Sequence, residues 1–292
     1  MRIRQTAGEI VFNIFNTIFL GIVVYITLAP FWSIFISSIS DPQLVIRNEV
    51  GWYPKGLTLL NYRVIFSNDE VFVAYWNTIV YTTLGTVINI LFTFTMAYPL
   101  SRRTFYGRGI YMKLVTFTML FSGGLIPTFL VVNGLGMYNT IWAIVIPGAI
   151  TTWNLIITIT FFMALPSSLE ESAMIDGAND IQVFVRIYIP LSMPIFATMT
   201  LFYAVGHWND FFGPLIYLND KKYYPLTIFL RSIISAAEVK QYEMSGAMDT
   251  GSLISVGIKY ATIIATTLPI ICVYPFLQKY FVKGVMIGSI KG

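Results

Sequence analysis

Six apolar stretches, each at least roughly the 20 residues a helix needs to cross a bilayer, lie near 11–39, 72–100, 110–132, 138–164, 190–218 and 255–281. That pattern leaves few folds open. In hydrocarbon every backbone N–H and C=O must be paired within the protein, and long uninterrupted apolar runs can do so only as helices. An all-α integral membrane protein of six transmembrane helices is therefore predicted, with 1–292 forming a single transmembrane domain. Composition agrees, since 11% of residues are charged against about 25% in soluble domains. The first stretch exceeds a signal-peptide core and no small-residue cleavage pattern follows it, so it is expected to be a retained helix.

Lys and Arg resist translocation when they flank spans, which orients the chain. Arg102, Arg103 and Arg108 crowd the short connection 101–109, and Arg2, Arg4, Lys279, Lys283 and Lys291 lie near the termini. Both termini are thus predicted cytoplasmic, together with the connection 165–189, while 40–71, 133–137 and 219–254 face outward. Trp52, Tyr53 and Pro54, followed by 57–66, suit a short helix at the outer interface. Glu238, Lys240, Glu243 and Asp249 make 219–254 the most polar outward stretch and a docking surface for an extracytoplasmic partner. The net charge of +4 follows from the same bias and gives no support to nucleic-acid binding.

The connection 165–189 has more internal order than a plain loop. Ser168 with Glu171, and Asn179 with Gln182, have the spacing of two capping boxes, one on either side of Gly177. Glycine tolerates the left-handed conformation that ends many helices, so the segment reads helix, sharp turn, helix. Ile181, Phe184, Val185 and Tyr188 would form one apolar stripe on the second helix. The plainer reading is an interfacial amphipathic helix between two spans, which has no need of two capping boxes around a glycine turn.

Glu171-Ser172-Ala173, Asp176-Gly177-Ala178, Ile187 separated from Gly177 by nine residues, and Pro190 together resemble the EAA loop of importer permeases in the ATP-binding-cassette (ABC) superfamily. Ser172 departs from the alanine in the motif's name and keeps that face small. FSGGLIPTFLVVNGLGMYNT at 121–140, HWNDFFGPLIYLND at 207–220 and YPFLQKYFVKGVMIGSIKG at 274–292 are similar to segments of carbohydrate permeases. The likeness is to the branch serving complex oligosaccharides, and to the second permease subunit of maltose-type importers.

The resemblance implies the type I ABC importer permease fold, its first helix wrapping a partner, in the bacterial cytoplasmic membrane. It implies an ATPase-coupling role for Glu171, Ser172, Ala173, Asp176, Gly177 and Ala178. The implied partners are a second homologous permease subunit, two ATP-binding-cassette subunits and a lipid-anchored extracytoplasmic solute-binding protein. ATP and Mg are then expected on the ATPase subunits and no cofactor on this chain, which contains no G-x-x-x-x-G-K-S/T phosphate loop.

An aspartate within a span costs about 2.5–3.5 kcal/mol on insertion scales, so Asp210 should face a cavity or a partner. With Trp208 and Asn209 it offers an aromatic face, an amide and a hydroxyl acceptor, which suits a sugar path; the competing role for Asp210 is helix packing. Asn77, Asn89 and Asn154 are expected to make interhelical hydrogen bonds, and Pro127 and Pro147 to bend helices. Gly123-Gly124 suits either a hinge or a close helix approach. Cys272 and His207 are each the only residue of their type, so a metal site or a metalloenzyme is disfavoured. The chain is therefore read as a transport subunit, forming half of the path for a sugar or oligosaccharide delivered by a binding protein. The alternative is a self-contained secondary transporter or channel, in which an internal repeat or more intramembrane ionisable groups are expected.

Overall fold

A computed structural model describes residues 6–243 and 256–272, and all regular structure among them is helical. Arg2, Arg4, Asp249, Lys279, Lys283, Lys291 and the segment 274–292 lie outside the described residues. Chain contacts divide the protein into two units, one taking in residues up to Asn68 with Leu230–Thr267, the other Asp69–Phe229 and residues from Leu268 onward.

In the first unit, α1 (Ala7–Ser38) opens on a capping box in which Thr6 Oγ1 accepts from Glu9 N–H and Glu9 Oε2 accepts from Thr6 N–H at 2.7 Å. The apolar residues of α1 are exposed along most of its length, as suits a helix whose neighbours are lipid or another chain. Next come α2 (Pro42–Ile46), capped by Asp41, and α3 (Leu60–Phe66), which falls within the interfacial helix expected at 57–66. Buried Asn61 donates from Nδ2 to the Ser38 carbonyl at 3.3 Å and ties α3 to the end of α1.

The second unit is organised on α4 (Asp69–Ser101), whose first turn carries Asp69 and Glu70 where the helix dipole favours acids. It is followed by α5 (Arg108–Leu120), α6 (Leu125–Gly134), α7 (Trp142–Val145), α8 (Thr152–Met163) and α9 (Ser167–Ile175). Then come α10 (Asp180–Leu191), α11 (Met193–Trp208) and α12 (Phe212–Tyr217). Two further helices, α13 (Leu226–Glu243) and α14 (Val256–Cys272), complete the described chain.

Among the described helices, α1 and α4 are each long and apolar enough to cross a bilayer unbroken. The pairs α5–α6, α8–α9 and α10–α11 meet that test only together, bent by 116°, 69° and 80°. The stretch 110–132 is thus two helices: the chain turns at Ser122–Gly124, with Gly124 at φ 88°, and Pro127 sits in the first turn of α6, where its missing N–H costs nothing. The stretch 138–164 is likewise interrupted around Pro147-Gly148, and 190–218 at Asn209–Phe211.

Along α4 the buried residues Val71, Ala74, Thr78, Tyr81, Gly85, Asn89, Thr93 and Ala97 recur at intervals of three and four and form one seam. Their small and polar side chains let α8 and α11 approach closely, which matters in lipid, where packing and hydrogen bonds rather than hydrophobicity hold helices together. An aromatic series extends this core toward the end of α4. Phe196 meets Phe94 at 5.5 Å, Phe94 meets Phe162 at 5.6 Å, Phe162 meets Tyr188 at 5.4 Å and Tyr188 meets Tyr98 at 4.9 Å, all edge to face. Edge-to-face pairs add about 0.5–1.5 kcal/mol each beyond their burial.

Candidate functional site

Two polar regions stand out, one at the end of α4 and one in its middle. The first is built around α9 and the turn after it. The capping box expected from Ser168 does not form: Pro166 is the N-cap, its φ of −62° starts the helix early, and Ser168 falls inside the first turn. The other end matches expectation closely. Ala178 N–H donates to Ala173 O at 2.9 Å and Gly177 N–H to Met174 O at 3.0 Å, the paired bonds of a Schellman ending, with Gly177 at φ 85°. Asn179 and Gln182 form the second capping box, with bonds of 2.9 and 3.0 Å. Glu171, Ser172, Asp176 and Gly177 are exposed, whereas Ala173 and Ala178 pack against the core. No residue of α9 is buried, and Ile175 is 86% exposed.

The apolar stripe expected on α10 forms in part. Tyr188 is buried and Phe184 packs against the core, whereas Ile181 and Val185 are exposed and Val183, outside the stripe, is buried. The cause is a π-helical turn at Phe184–Tyr188, in which Ile189 N–H bonds to Phe184 O, five residues back. Five-residue spacing brings Tyr188 beneath Val183 and cancels the 3.6-residue phase on which the stripe depended.

Arg102, just past the end of α4, fastens both sides of the Gly177 turn. Its Nη2 pairs with Glu170 Oε1 on α9 and its Nη1 with Asp180 Oδ1 at the start of α10. The guanidinium also lies 5.4 Å from the Tyr98 ring centre, and Tyr188 Oη donates to Glu170 Oε2 at 2.8 Å. The Arg102 and Glu170 side chains are each only 15% exposed. Burial alone would lower the Arg102 pKa, but the bond to Asp180 and the neighbouring Tyr98, Glu170 and Asp180 raise it on balance. Burial, then the bond to Glu170, pushes the Tyr188 hydroxyl well above its ordinary value.

The second region is a cavity of about 580 Å³ lined by residues that include Asn89, Trp153, Asn154, Tyr203, His207 and Asp210. Asn89 donates from Nδ2 to Gly148 O at 2.5 Å, and its Oδ1 lies 2.6 Å from His207 Nε2. Because a carbonyl can only accept, Gly148 fixes the orientation of the Asn89 amide, and this assigns the imidazole proton to Nε2. Gly85, one turn before Asn89, leaves room for the His207 ring; a Cβ there would collide with it. Tyr203 Oη pairs with Thr93 Oγ1 at 2.7 Å.

Of the three residues expected on the path, Asp210 lines this cavity and Trp208 and Asn209 are not among its lining residues. Trp208 ends α11 half-buried, and exposed Asn209 turns its amide back to Val205 O at 2.9 Å. Asp210 also has a structural task, since its Oδ1 accepts from Gly213 N–H at 3.1 Å in the first turn of α12. Asn89 links α4 to α11 as expected. Asn77 instead bonds Lys222 O and Tyr224 O in a connection, and the Asn154 side chain bonds no other described residue. Sequence reasoning set His207 aside as a lone metal ligand; its signal lay in the Gly85–Asn89 spacing on a facing helix. Among the described residues no three His, Cys, Asp or Glu side chains come together as a metal site.

Residues 72–287 match the family described as the binding-protein-dependent transport system inner membrane component, and the chain belongs to it. It is a multi-pass ABC importer permease subunit rather than an enzyme, a class that works with ATPase and binding-protein partners. It is 46% identical over 289 residues to protein LplC of Bacillus subtilis (strain 168), covering 99% of this chain and 98% of the relative. To the polygalacturonan/rhamnogalacturonan transport system permease protein YtcP of the same organism it is 42% identical over 274 residues, 94% of this chain and 96% of that one. Among solved structures it is similar to a chain of a bacterial ABC transporter involved in the import of the acidic polysaccharide alginate. There the TM-score is 0.86 and the identity 31%, covering 96% of this chain and 99% of that chain. The fold is accordingly that of ABC importer permeases.

Proposed function

We propose that this chain forms half of the transmembrane path of an ATP-driven importer whose cargo is a sugar or oligosaccharide, and that α9 with its Gly177 turn receives the stroke of the ATPase. The carrying observation is that an exposed helix with apolar Leu169, Met174 and Ile175 at its surface is fastened through Arg102 to the end of the central helix α4. A partner that moves α9 therefore pulls on the helix lining the cavity. In this reading Glu171, Ser172, Ala173, Asp176, Gly177 and Ala178 form the coupling surface. The working assembly adds a second homologous permease subunit, two ATPase subunits carrying ATP and Mg, and a lipid-anchored binding protein outside. The six-span topology, with 165–189 and both termini in the cytoplasm, belongs to the same proposal, and the cargo class is supported by the names of the relatives. The path is assigned to Trp208, Asn209 and Asp210, with Asp210 its best-supported member.

Gly177→Val tests the coupling role. No atom lies within 4 Å of a Cβ at position 177, so the cost is backbone strain alone, about 1–3 kcal/mol for a non-glycine residue held in that region. The complex should still assemble, with uptake lost and ATP hydrolysis no longer stimulated by loaded binding protein; normal stimulation would overturn the assignment. For orientation, a cysteine in place of exposed Ser168 should be shielded from an impermeant thiol reagent in intact cells and react in inverted vesicles.

A further inference from the structure

We propose that the cavity holds the uncharged, hydroxyl-bearing face of a sugar ring, with Trp153 as its platform and Asn154 and Asp210 as its hydrogen-bonding groups. The proposal rests on the saccharide reading above and moves the recognition surface from the end of α11 to the start of α8. Trp153, the second residue of α8, lines the cavity and remains 58% exposed. An indole offers an apolar face to the axial C–H groups of a pyranose.

Asn154 is the most telling residue. It lines the same cavity, is only 8% exposed, and its side-chain amide bonds no other described residue. Its amide atoms border the cavity and stay open to water, so they can pair with a group from outside the chain. His207 differs: its Nε2 proton is already given to Asn89. Asp210 keeps acceptor capacity after the bond from Gly213, because an ionised carboxylate has about four lone-pair sites. Donors on Asn154 and acceptors on Asp210 match the hydroxyls of a sugar.

The cavity size of about 580 Å³ falls within the range of roughly 300–1,000 Å³ common to small-molecule pockets. None of the residues lining it is Lys or Arg. A uronate carboxylate turned toward Asp210 would meet like charge with no cation to offset it. An acidic oligosaccharide would therefore have to present its hydroxyl face here and its carboxylates elsewhere.

The test uses the complete importer with its binding protein in proteoliposomes, and measures uptake of trigalacturonate, its methyl ester and maltotriose. With whichever trisaccharide the wild type accepts, Trp153→Ala should raise the half-saturating concentration about tenfold, and Trp153→Phe, which keeps a ring face, by much less. Asp210→Asn still caps α12 through its amide oxygen, so it should raise uptake of the acid relative to its ester. An unchanged ester-to-acid ratio in Asp210→Asn, or wild-type saturation in Trp153→Ala, overturns the site. Uptake of none of the three by the wild type overturns the saccharide reading itself, and the site with it.

Discussion

Both polar regions of the second unit fasten α4 to a neighbour, and they do it with different chemistry. At its end α4 is held through Arg102 by two carboxylates, one of them on Asp180, whose side chain is 67% exposed. In its middle it is held through Asn89 by a carbonyl and a protonated imidazole nitrogen. The difference follows from the surroundings. Ionic groups are tolerable where water reaches one partner, whereas within the span a neutral amide–imidazole pair avoids the penalty of burying charge. One fastening is strong and geometrically forked; the other is short and depends on helices being close enough for Gly85 to touch a ring.

The largest expected effect lies at the ionic end. Arg102→Ala leaves Glu170 without its cation in a site that is 15% exposed, a loss on the order of 3 kcal/mol when a mostly buried pair is broken. The variant complex should melt earlier in detergent and lose stimulated ATP hydrolysis; Arg102→Lys should recover only part, because an ammonium lacks the planar fork that reaches both carboxylates. Full recovery by lysine would mean that charge alone matters there. Next comes Gly85→Ala, which places a methyl against the His207 ring and should cost about 1–3 kcal/mol by overpacking, read as a lower melting temperature. No change would show that α4 and α11 separate easily at this point. Smallest is Tyr188→Phe, which removes the bond to Glu170 but keeps the aromatic contacts, for about 1 kcal/mol and a slight fall in stimulated hydrolysis. An effect equal to that of Arg102→Ala would make the tyrosine a full partner in the ionic network.

Much of this was legible in the residues. The helical class came from six apolar runs, and the Gly177 ending and the Asn179–Gln182 box were written as short local patterns with local causes. The failures share a cause as well. The π-turn has no local signature, so a regular period was carried through Phe184–Tyr188, and Ile181 and Val185 were placed with Phe184 and Tyr188 while Val183 was left out. Pro166 took over the cap assigned to Ser168 because proline fixes φ and a serine hydroxyl does not. The cavity was only half visible: Asp210 stood out through its cost in lipid, but Trp153, Asn154 and His207 come from segments far apart in sequence. Nothing in the spacing of either segment announces that they face one space.

The wide turn in α10 also determines where this protein can change length. Deleting one residue from 184–188 would close the turn into regular helix, in which the four-residue bond replaces the five-residue one and the flanking parts keep their facing. Asp180 and the Gly177 turn would stay within reach of Arg102, whereas the same deletion inside the regular helix α11 would rotate one side of it by about 100° and shift it by about 1.5 Å. A single-codon loss there should therefore be tolerated better than one inside α11, read as the stimulated ATP hydrolysis each variant keeps.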